Sequence, residues 1–123
     1  MDEEIRLYKK FMEGLLEKRP DMRAERIKTK NKTVWPENTE MHQKYISFFG
    51  DLSDENKTVL ADLLQDTRDA AIFDTLEYFD DKINLDGLHV TQNGAEFPKD
   101  FFGGDFHNDW VALFQGDLWG ESR

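Results

Sequence analysis

The chain has no cysteine among its 123 residues, and only three prolines and three histidines. The first absence excludes a disulfide framework, thiolate metal sites and cysteine nucleophiles, and it suits a compartment where disulfides do not form. No apolar run approaches the roughly 18 residues of a membrane span. Met1-Asp2-Glu3-Glu4 has neither the basic start nor the apolar stretch of a secretory signal. A cytoplasmic location without membrane association is therefore expected. The chain also lacks G-x-G-x-x-G, the P-loop, G-x-S-x-G and H-E-x-x-H, the usual marks of dinucleotide, nucleotide, acyl-transfer and zinc-protease chemistry. His42, His89 and His107 are never four residues apart, so a zinc site would have to be assembled from distant segments. No cofactor, no metal site and no catalytic residue is expected.

What is present is apolar bulk and acid. Hydrophobic residues make up 38% of the chain, with ten Phe and three Trp, enough to offset chain entropy in one core, so 1–123 reads as a single domain. The net charge of -10 is unevenly placed. Residues 1–35 hold ten Lys/Arg against seven Asp/Glu, and residues 36–123 hold six against nineteen. A body this acidic repels nucleic-acid phosphates and anionic lipid, which directs attention to a cationic protein partner. Simple solubility is the plainer consequence of the same charge.

The pattern predicts a helix-rich α+β fold of three to four helices and a β-hairpin. Ile5, Tyr8, Phe11, Met12, Leu15 and Leu16 recur at helical spacing over 3–18, before Pro20. Over 26–33, Arg26, Lys28, Lys30 and Lys32 alternate with Ile27, Thr29, Asn31 and Thr33, which reads as an extra edge strand guarded by lysines. Met41, Tyr45, Ile46, Phe48 and Phe49 give a second helix over 37–49. Ser53 is placed to cap a third, running from 54 to about 81. Asn93-Gly94 is the preferred type I′ turn, and it joins strands 88–92 and 95–97. The register pairs Gln92 with Ala95 and Val90 with Phe97, and it sets His89, Thr91 and Glu96 on the polar face. Asp105 is positioned to cap a last helix carrying Phe106, Trp110, Val111 and Phe114.

Three features bear on chemistry. Lys82-Ile83-Asn84-Leu85-Asp86-Gly87 imitates the middle of a calcium loop, but Lys82 and Asn93 stand at its first and twelfth places, where carboxylates are needed. Asp105-Phe106-His107-Asn108-Asp109 sets an imidazole between two carboxylates, a set suited to acid–base work or metal binding. Residues two apart on a helix point in different directions, so His107 is expected to face neither squarely. The third feature is a stripe on the 54–81 helix, where Glu55, Asp62, Asp66, Asp69, Glu77 and Asp80 share one arc that only Phe73 interrupts. Like charges at i, i+4 such as Asp62 and Asp66 oppose helix formation by roughly 0.2–0.5 kcal/mol. The stripe is open to three readings: a solvated face, a dock for the chain's own basic segment from Arg23 to Lys32, or a partner site.

The series INLDGL, VTQNGAEFP and DWVALFQGDLW over residues 83–119 resembles a family of small, acidic bacterial proteins of unknown function. The likeness extends more weakly to the long helix and to IKTKN, and it implies one shared fold but no activity or site residue. The functional expectation is a protein-binding module, immunity- or inhibitor-like, that presents Glu55, Asp62, Asp66, Asp69, Glu77 and Asp80 to a basic partner. A homodimer is a further option, and nucleic acid is not expected. The alternative is a small hydrolase or metal-dependent enzyme that uses His107 with Asp105 or Asp109.

Overall fold

Leu7, Tyr8 and Met12 turn inward from the first helix, α1 (Asp2–Glu17), and the chain is built around side chains of this kind. A computed structural model describes residues 2–30, 40–98, 105–116 and 119. In chain order there follow α2 (Met22–Lys30), α3 (Glu40–Gly50), α4 (Asp54–Leu85), β1 (Thr91–Gln92), β2 (Ala95–Glu96) and α5 (Phe106–Phe114). The fold is α+β and rich in helix, with five helices and one antiparallel hairpin among the described residues. The chain divides into two compact units, one of Met1–Lys18 with Ala70–Arg123 and the other of Arg19–Asp69, so that α4 contributes to both.

The first unit packs α1 against α5 and β2. Tyr8 is its centre, stacked on Phe106 at 5.6 Å and meeting Phe97 and Trp119 edge-on, each at 5.7 Å. Aromatic pairs in these geometries add about 0.5–1.5 kcal/mol beyond their buried area. The hairpin forms as its turn chemistry requires: Asn93 and Gly94 both have positive φ, at 53° and 81°, as a type I′ turn demands. Gln92 pairs with Ala95 and Thr91 with Glu96, and Phe97 N–H continues the ladder to Val90 C=O at 2.9 Å. The paired strands, Thr91–Gln92 and Ala95–Glu96, are shorter than the 88–92 and 95–97 expected. Trp119 donates its indole N–H to Glu13 at 3.2 Å and closes the core beside α1.

In the second unit the expected edge strand over 26–33 is not formed. Residues 26–30 lie in α2, and 31–33 fall outside the described residues. The alternating lysines suggested a period of two, but Ala24 and Ile27, three apart, are the side chains buried here, and a helix is what places both on one face. Asp21 caps the start of α2 by accepting from Arg23 N–H at 2.8 Å. α3 occupies most of the expected second helix, whose residues 37–39 fall outside the described region. Ser53 Oγ accepts from Asn56 N–H at 3.1 Å, capping α4 as its sequence position suggests.

Candidate functional site

The six carboxylates of the α4 stripe do not share one environment. Glu55, Asp62 and Asp66 are exposed in the second unit, and Glu77 is exposed in the first. Asp69 and Asp80 are buried, each tied to groups of its own unit. Asp69 receives the Arg19 guanidinium in a two-pronged pair, both contacts 2.8 Å, and a Gln65 amide N–H at 3.2 Å. Gln65 also donates to Arg19 C=O and accepts from Asp21 N–H, each at 2.8 Å. Asp69 therefore holds a cation of the chain itself, but that cation is Arg19, ahead of the 23–32 segment considered from sequence. Arg23 turns instead to Asp21.

Asp80 anchors the start of α5. Its two oxygens accept the N–H groups of Phe106 and His107, both at 2.9 Å, donors that the first turn of a helix leaves unpaired. The same carboxylate stands 2.6 Å from His107 Nδ1, and Asp105 Oδ1 stands 3.5 Å from it. His107 thus faces Asp105 after all, together with a third carboxylate from α4 that helical spacing within 105–109 could not reveal. Burial pushes the His107 pKa down, but the Asp80 hydrogen bond and the charges of Asp105, Asp80 and Glu77 outweigh it, and the imidazole titrates above its ordinary range. Phe73 meets the His107 ring edge-on at 5.0 Å. The one aromatic that interrupts the acidic stripe therefore marks where α5 docks, and it was the single sequence signal for this contact.

Asp105 plays the capping role expected of it, accepting from Asn108 N–H at 3.0 Å. Asp109 is buried and accepts from the Tyr8 hydroxyl. Burial, then Asp109, push that phenol's pKa up. The carboxylates paired with the imidazole are those of Asp80 and Asp105. A cavity of about 20 Å³ lies beside them, lined by Asp80, Asn84, His89, Glu96 and Asp105 among others. On its wall His89 Nδ1 and Glu96 Oε1 are 2.5 Å apart, on the polar face of the hairpin as the register predicted. The calcium-like stretch is helical through Leu85, and Lys82 pairs with Asp86 at 2.9 Å.

A second concavity, about 350 Å³, lies within the second unit and is lined by Arg23, Ile27, Tyr45, Phe48, Phe49, Leu60 and Leu64. Next to it on α4, Val59 and Leu63 are 62% and 59% exposed, and Phe48 on α3 is 57% exposed. Among the described residues no helix is long and apolar enough to cross a membrane.

Neither the curated proteins nor the solved structures include a match to this chain. A family model does match, covering residues 1–121 where the motif likeness had covered 83–119, and the chain belongs to that family, a family of unknown function (DUF6547).

Proposed function

We propose that the chain is a protein-binding module, immunity- or inhibitor-like, that acts in the cytoplasm and engages a cationic, amphipathic partner through the second unit. The observation that carries this reading is the composition of the outer face of α4. Val59 and Leu63 lie more than half exposed among the exposed carboxylates Glu55, Asp62 and Asp66. A helix face meant only for solvent has no use for two large aliphatic side chains, and Asp62 with Asp66 opposes helix formation. A partner that covers the aliphatic pair and neutralises the carboxylates turns both features to advantage. The apolar concavity lined by Phe48, Leu60 and Leu64 offers the same partner a place for one bulky side chain.

The test is a pair of variants. One is Glu55→Gln with Asp62→Asn and Asp66→Asn, and the other is Val59→Ser with Leu63→Ser. Asp69 stays in place because it holds Arg19. A partner co-purifying with the natural protein is identified, and its affinity is measured by calorimetry at rising salt. The charge variant is expected to lose about tenfold or more in affinity, with little salt dependence left, and its unfolding midpoint should be unchanged or raised. Equal binding by both variants and the wild type would remove α4 as the binding face.

A further inference from the structure

We propose that Asp80, Asp105 and His107 form a binding site for a divalent transition-metal ion, with zinc the best match. Each residue offers one ligand atom, and these atoms lie within 4.8 Å of one another. Tetrahedral zinc with bonds near 2.0 Å needs its ligand atoms about 3.3 Å apart. The distances from His107 Nδ1, 2.6 Å to Asp80 Oδ2 and 3.5 Å to Asp105 Oδ1, bracket that value. One imidazole with two carboxylate oxygens suits zinc or manganese better than magnesium or calcium, which favour all-oxygen shells.

Charge points the same way. Two carboxylates face one imidazole, and Glu77 adds further negative potential at that ring. A divalent ion bound with loss of the Nδ1 proton would leave the three ligands and the metal neutral together. The hydrogen bonds already present hold the ligands without using them up. Asp80 accepts the N–H groups of Phe106 and His107, and Asp105 accepts that of Asn108. A carboxylate has about four lone-pair sites, so a lone pair on each remains for the ion, and such supporting bonds are typical behind metal ligands. The adjoining cavity of about 20 Å³ has room for one water. Asp80 and Asp105 line that cavity together with Asn84, His89 and Glu96, so a water there would lie beside the two carboxylate ligands. The sequence offered His107 with Asp105 as ligands but not Asp80, which stands 25 residues before Asp105.

The experiment uses the full chain stripped of metal with a chelator. Zinc is titrated by calorimetry and by thermal unfolding, and cobalt is added to read the visible absorption of a tetrahedral centre. One equivalent of zinc should bind, raising the melting temperature by several degrees when zinc is in excess. Asp105→Asn keeps an N-cap as good as aspartate, so its metal-free melting temperature should match the wild type while zinc affinity falls about tenfold or more. His107→Gln should abolish the cobalt spectrum. No heat and no shift in melting temperature with the wild-type chain would overturn the proposal. So would undiminished zinc binding by both Asp105→Asn and His107→Gln, which would place the ion elsewhere.

Discussion

Asp21 shows how one side chain can hold two pieces of structure. Its carboxylate caps α2 through Arg23 N–H and also meets the Arg23 guanidinium, at 3.2 Å to Nε and 3.1 Å to Nη2. Burial pushes its pKa up, but the hydrogen bonds from the Arg23 side chain and backbone, with the Arg23 charge, outweigh this and hold it below the usual aspartate range. A carboxyl whose folded pKa is depressed adds stability above its unfolded value, near 4, and that stability is lost as pH falls through the folded value. Asp21→Asn preserves the cap and removes the charge. The wild type is expected to be more stable at neutral pH by a few tenths to about 1 kcal/mol, because Arg23 is half exposed. Urea unfolding from pH 7 down to about pH 2 should show that advantage vanishing at the acid end. A difference that stays constant with pH would mean the Arg23 pair does not stabilise the fold.

At the scale of elements, α4 ends where its backbone turns left-handed. Gly87 has φ +73°, and beyond it Leu88 N–H returns to Lys82 C=O at 3.0 Å. A Cβ at this position meets nothing within 4 Å, so the cost of a side chain comes from the dihedral alone. Gly87→Ala should destabilise by about 1 kcal/mol, read as a lower urea midpoint with an unchanged slope. A neutral result would mean that the helix end can refold in another conformation. The Asn93-Gly94 turn was legible in sequence because its conformation is a local property of two residues, whereas α4 runs on to Leu85, past the end expected near 81. α2 was not legible, since among its described side chains only Ala24 and Ile27 are buried, too little to stand out against alternating lysines.

For the whole molecule, the decisive fact is that the first unit closes its core with residues far along the chain. Phe97, Phe106, Trp110, Leu113 and Trp119 are all buried there. Each contributes roughly 1.5–3 kcal/mol, together comparable with the ~5–15 kcal/mol that stabilises an entire domain. A chain ending at Gly87 should therefore lose the near-ultraviolet circular dichroism of its aromatic core and the hydrogen-exchange protection of α1. The intact chain should unfold in one transition, since α4 belongs to both units and neither survives its melting. Two resolved transitions, or a protected α1 in the shortened chain, would show that the units fold independently.

The amino-acid sequence by itself determined the helix-rich α+β class, the hairpin with its register, and the caps at Ser53 and Asp105, because periodicity and turn chemistry act within a few residues. Which members of the acidic stripe face solvent was decided by tertiary structure. Glu55, Asp62, Asp66 and Glu77 stay exposed, whereas Asp69 and Asp80 are drawn inside to meet Arg19 and the start of α5. One arc of a helix treats all six alike, and only chain segments arriving from elsewhere, with unpaired N–H groups and a guanidinium to satisfy, could tell them apart.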